Sequence, residues 1–232
     1  MLDYRNLEER FSDALHLGQR PIAISFRETP PSTVPLFKGS APAGCAFWRI
    51  AAEGRSFYTV PSDHYNCPIG SYTHGIDLPS DRAQELDQTL TLMNDLKYIR
   101  RDEVSALHRL PHTPRVVIYA PLADTPVAPD VVLFMGKPGH LMLLGEAAIR
   151  AGTATQTPLL GRPTCMALSA ALTFGAVAST GCIGNRVYTD LSENELYVAI
   201  AGKDIAGVAD EVGTICEANS RLSEYHQARR RT

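Results

Sequence analysis

The chain has 232 residues, 44% of them hydrophobic and 20% charged, with a formal net charge of −3. That length buries a substantial core, and the near-neutral balance gives no electrostatic reason to expect a nucleic-acid partner. No apolar stretch reaches the roughly 18–20 residues that span a bilayer, and the opening MLDYRNLEERFSDAL is charged throughout, unlike a signal peptide. No membrane association is expected. An odd count of five cysteines without a secretion signal indicates a reducing compartment. The cytoplasm is therefore the expected location.

Taken in chain order, residues 2–17 predict a helix with Leu7, Phe11, Ala14 and Leu15 on one face. RPIAISFR at 20–27 predicts a strand, and the Pro-, Thr-, Ser- and Gly-rich 28–44 a loop. Residues 46–52 and 55–60 alternate apolar and polar around Glu53-Gly54, which predicts a hairpin. A charged helix is expected over 80–99, from the spacing of Leu86, Leu90, Met93 and Leu96. RVVIYA (115–120) and VVLFM (131–135) are continuous apolar runs, the pattern of strands covered on both faces. After the second run, Pro138 suits a first helical position and Gly152 a helix terminus. An apolar helix is expected after Cys165, then a hairpin-like pair at 187–189 and 196–201, and a final helix over about 204–227. The pattern predicts an α/β or α+β fold, one compact domain over 1–232 with a mixed sheet flanked by helices. No repeat or low-complexity segment interrupts it.

Four of the five cysteines fall in two glycine- and proline-marked regions, 45–75 and 160–190. Cys45 and Cys67 lie in the first, Cys165 and Cys182 in the second. Turns free backbone N–H groups to face sulfur, and glycine lets a bulky group approach. Asn66-Cys67-Pro68-Ile69-Gly70 is faintly echoed by Gly181-Cys182-Ile183-Gly184-Asn185, as if two loops faced one site. The plain alternative is that these cysteines are small apolar core residues, which is the preferred reading for Cys216 on the last helix.

The landmarks CAFWRIAAEG, NCPIGSYTHG, YAPLADTPVAPDVVLFMGKPGHLMLL, PTCMALSAA and GCIGNRVYTDLSENELYVAI, in that order, resemble the family catalogued as domain of unknown function 169. The resemblance covers nearly the whole chain. It implies that Cys45, Cys67, Cys165 and Cys182 occupy positions where such proteins carry cysteine. The turn after Cys67 reads Pro-Ile-Gly where the family tends toward paired glycines, so Ile69 alters how closely a ligand approaches that loop. The resemblance brings no settled activity.

The leading expectation is a [4Fe-4S] cluster held by Cys45, Cys67, Cys165 and Cys182 in an enzyme acting on a small-molecule substrate. Structural zinc fits less well, since no close C-x-x-C pair exists. Two alternatives stay open. One is a metal-free cysteine enzyme, with Cys165 activated at a helix N-terminus and His64 or His74 as base. The other is a thiol redox sensor or metal carrier. His64 and His74 flank Cys67 and are candidates for catalysis, or for haem ligation in the absence of a C-x-x-C-H motif. Arg186, close after Cys182, suits a substrate carboxylate or phosphate, or else fixes its own hairpin through Asp190 or Glu193. The MGKPGH turn at 135–140 lacks a complete phosphate-binding pattern and reads as a helix start. The apolar helices leave room for a homodimer.

Overall fold

The structure, a computed structural model, describes residues 2–230. Its centre is a seven-stranded mixed sheet in the order β2-β3-β1-β4-β7-β6-β5. The strands are β1 (Ile22–Arg27), β2 (Phe57–Thr59), β3 (Val116–Pro121), β4 (Val131–Gly136), β5 (Leu159–Leu160), β6 (Ala176–Ser179) and β7 (Leu196–Ala201). All neighbours run antiparallel except β5 and β6.

Strand alternation divides the interior into two cores. Ile22, Ile24, Val117, Tyr119, Val131, Leu133 and Ala199 face one side, and Ala23, Val132, Phe134, Val198 and Ile200 face the other. Because both faces are covered, the central strands read as unbroken apolar runs. One layer holds α1 (Tyr4–Leu15), α5 (Pro138–Arg150) and α8 (Ile205–Arg230). Leu7, Phe11, Leu144 and Val208 pack there on Phe134 and its neighbours, and Phe11 meets the Phe134 ring edge-on at 4.9 Å. The opposite layer is built from short helices: α2 (Ala46–Ala52), α3 (Pro68–Thr73), α6 (Met166–Phe174) and α7 (Ile183–Thr189). The longer α4 (Ser80–Asp95) has no buried residue.

The expected strands at 20–27, 115–120 and 131–135 are present, as are the helices starting near residues 4, 80, 138, 166 and 205. Three expectations are corrected. Residues 46–52 form helix α2 in place of a hairpin strand, with Ala46, Phe47, Trp48 and Ala51 buried. Residues 187–189 end helix α7 and pair with no strand. The apolar run after Cys165 is a helix only as far as Phe174, and its tail AVAS is strand β6. Gly175 makes that break at φ +78, and a Cβ there would lie 2.1 Å from the Thr153 carbonyl oxygen, so no other residue fits the turn.

Candidate functional site

Each of the four cysteines singled out in the sequence is the residue immediately before a helix. Cys45 precedes α2, Cys67 precedes α3, Cys165 precedes α6 and Cys182 precedes α7. No side-chain oxygen caps these four helices: each cap position is a sulfur, and the Gly70 N–H in the first turn of α3 faces that of Cys67. Local sequence starts these helices where it does: Pro68 takes the first position of α3, with its missing N–H at no cost. Gly181, at φ +79, turns the chain into α7. Because α2 packs on α7 and α3 on α6, the four starting points meet on one face of the sheet.

The two regions of sequence therefore lie side by side. A Cβ on Gly70 would sit 2.9 Å from Cys67 Sγ and 3.9 Å from Cys165 Sγ, so both sulfurs border the same bare backbone. Cys45 feels the charge of Cys67 and Cys182, and Cys165 that of Cys67, Cys45 and Cys182. Hydrogen-bond donors face the sulfurs individually. The Asn185 side chain serves Cys45 and the backbone of Gly44 and Gly70 serves Cys67, while the Thr73 hydroxyl, which gives its proton to the Gly70 carbonyl at 2.9 Å, lies against Cys165. The Cys182 backbone N–H donates to Thr164 Oγ1 at 2.5 Å. Cys45 and Cys165 are buried, whereas Cys67 and Cys182 are half-buried, so the ring has a wet side.

Burial dominates the proton affinity of these thiols. It pushes Cys45 up to about 12, and mutual repulsion adds to the effect against the Asn185 hydrogen bond. Cys67 is raised and Cys165 raised well above the ordinary thiol value for the same first reason. The expectation that a helix N-terminus lowers Cys165 is thus corrected. The end of a helix stabilises a thiolate by about 0.3–1 kcal/mol at exposed positions, far less than the desolvation of a buried charge. Without a cation beside them, these three side chains are neutral thiols at neutral pH.

His64 and His74 lie behind the ring, fully buried, with ring centroids 5.6 Å apart. The Thr59 hydroxyl donates to the Val117 carbonyl at 3.2 Å, so the 2.8 Å contact between Thr59 Oγ1 and His64 Nε2 assigns the imidazole proton to Nε2. Likewise His74 Nδ1, 2.7 Å from the Gly70 carbonyl, must donate. Each ring keeps one bare nitrogen, His64 Nδ1 and His74 Nε2, with no partner among the described residues. A Cβ on Gly44 would be 3.5 Å from that His64 nitrogen, which places Gly44 between the imidazole and Cys67. The buried hydroxyl of Tyr119 also has no partner among the described residues and is close enough to Cys45 and Cys165 for their charges to raise it further. Burial lowers both histidines, His64 to about 3, so they accept hydrogen bonds rather than carry charge.

Arg186 is committed to its own loop. Its guanidinium donates to the carbonyls of Thr180, Leu191, Ser192 and Glu195, fixing the path from β6 through α7 to β7. It makes no ion pair with Asp190, which pairs with Arg49 instead. The neighbouring residue Asn185 is the one that faces a cysteine. Tyr119, Thr73 and Asn185 were not singled out as site residues from sequence. Only Tyr119 carried a signal: a phenol inside a doubly covered strand has a hydroxyl to satisfy. Cys216 stays apart, its thiol donating to the Ala14 carbonyl at 3.3 Å under α1. Among the described residues, no three His, Cys, Asp or Glu side chains are gathered tightly enough to hold a single metal ion. No helix among them is long and apolar enough to cross a membrane.

No solved structure matches the chain. An uncharacterized protein of Methanocaldococcus jannaschii is 22% identical over 178 residues, covering 72% of this chain and 75% of that protein. The family model of DUF169, described as uncharacterised ArCR, matches residues 10–211, a span that contains all four cysteines of the ring, both buried histidines and every strand of the sheet; the chain belongs to the DUF169 family.

Proposed function

We propose that the protein is an iron–sulfur enzyme of small-molecule metabolism, with Cys45, Cys67, Cys165 and Cys182 as ligands of a [4Fe-4S] cluster. One observation carries this reading. Four cysteines from four separate loops come together, each at the start of a helix. The donor set suits the group, since four thiolates close a cubane. Zinc draws thiolates to about 2.3 Å of one centre, and no three donors among the described residues are so gathered. A cubane spreads its thiolates over four irons rather than one centre. The bare backbone of Gly70 between two of the sulfurs supplies room that a side chain would fill.

When bound, such a cluster supplies electron transfer or Lewis acidity. The chain's own residues tune it: Asn185 and the backbone N–H groups of Gly44 and Gly70 donate toward the sulfurs, and donors of this kind stabilise thiolate charge. His64 and His74 offer neutral lone pairs in the dry interior, and the half-buried edge at Cys67 and Cys182 is where a substrate enters. The raised proton affinities weigh against a metal-free thiol enzyme, because the nucleophile in such chemistry is the thiolate.

Purification without oxygen, followed by an absorbance spectrum and assays of iron and acid-labile sulfide, tests the reading. The expected result is a broad brown shoulder with matched iron and sulfide, and loss of most iron in Cys67→Ser and in Cys182→Ser. Full iron in both variants, or a colourless protein that no reconstitution loads, overturns it.

A further inference from the structure

A groove of about 380 Å³ opens at the far ends of α2 and α7, away from the cysteines. Its rim carries Arg20, Arg49, Glu53 and Asp190. Beneath lies a narrow floor of about 10 Å³, lined by Trp48 and Tyr197, which shares Arg20, Arg49 and Thr189 with the space above. The floor has room for about one water-sized group. Trp48 is 1% exposed, and its indole N–H, a donor that buried tryptophans normally satisfy, has no acceptor among the described residues.

The rim is also richer in donors than its ion pairs use. Arg20 reaches Glu8 through Nε and Asp124 through Nη2. Arg49 reaches Glu53 through Nε and Asp190 through Nη1. A guanidinium has five N–H groups, so Nη1 of Arg20 and Nη2 of Arg49 remain uncommitted. The carboxylates opposite Arg49 are 58% and 73% exposed, and exposed pairs of that kind contribute about 0–1 kcal/mol. An incoming ligand displaces them at little cost.

We propose that this groove binds a small organic carboxylate, with one oxygen on the Trp48 indole N–H and the other on Arg49. Its volume falls in the range of metabolite sites, which combine an apolar floor with a few convergent polar groups. The inference stands apart from the iron–sulfur reading. A polar path nevertheless joins the two places: Tyr197, edge-on to Trp48 at 5.4 Å, contacts Thr189 at 3.2 Å and Asn185 at 3.5 Å through its hydroxyl, and Asn185 faces Cys45.

Trp48 is the only tryptophan of the chain, so its emission reports this floor alone. Acetate and succinate are titrated into the full chain as purified, with calorimetry for affinity and Trp48 emission for location. Sodium chloride at matched ionic strength and inorganic phosphate serve as controls. The expected result is a saturable change in emission with a carboxylate and none with chloride. Affinity should fall about 10- to 100-fold in Arg49→Gln, as for loss of a charged hydrogen bond, and stay unchanged in Arg82→Gln on α4. Emission indifferent to both carboxylates, an equal response to chloride, binding of phosphate alone, or an unchanged affinity in Arg49→Gln would each overturn the proposal.

Discussion

Single atoms decide what the cysteine ring can do. At Gly70, an added Cβ would meet Cys67 Sγ at 2.9 Å, closer than such contacts occur, and would also touch the Cys165 sulfur. Alanine is otherwise welcome inside a helix, by roughly 1 kcal/mol over glycine. Gly70→Ala should therefore leave the melting temperature of the metal-free protein within a few degrees while lowering bound iron several-fold, read by iron assay beside calorimetry. The two histidines act on stability instead. His64 in an unfolded chain takes up a proton near 6.5, but burial holds the folded side chain at about 3, and His74 is shifted the same way. Below about 6.5 the unfolded state binds more protons, so this contribution is complete above that value and is lost as pH falls toward 3. His64→Gln should flatten the fall in stability over that window, measured by urea denaturation at successive pH values.

Among the elements, those that bury an entire face are plain from sequence, and of the four helices that start at the cysteines only α6 is. Strands β1, β3 and β4 announce themselves because both faces are apolar, and α5 because Pro138 opens it and Gly152 follows it. Helix α2 escaped recognition because Phe47, Trp48 and Ile50 favour strands locally. What makes it helical is tertiary: Phe47 packs on Phe57, Tyr119 and His64, and Trp48 on Tyr197. Helix α7 misled through Ile183 and Val187, branched residues whose side chains face solvent at 64% and 67% exposure. The cysteines themselves were legible as a set, since glycine and proline mark their turns. Their common position before four helices is not, because the local sequence announces only α6 of the four as a helix. At the other end of the chain, α8 carries its last buried residue at Val212, and everything from Glu217 to Arg230 is exposed. Exposed pairs such as Glu217 with Arg221 add only tenths of a kcal/mol. A chain ending at Glu217 should therefore melt within a few degrees of the full chain, which scanning calorimetry would check. A large loss would mean that this half of α8 is held by a contact outside the chain.

Over the whole molecule, the sheet keeps two kinds of business apart. Among the described residues, the α1, α5 and α8 side is an apolar core, while the opposite side gathers the thiols, the bare imidazole nitrogens and the groove beside Arg49. The spacing of the cysteines along the chain adds an order in time. Between Cys67 and Cys165 lie β3, β4 and α5, the centre of the sheet, and Cys182 follows only after β6. Bringing such distant segments together carries the entropic cost of closing long loops, which the formed sheet has already met. The ring is thus complete only in a chain whose central strands have found their register. A group that required all four sulfurs at once would therefore find them assembled only in a finished fold, and its occupancy would double as a certificate that folding is complete.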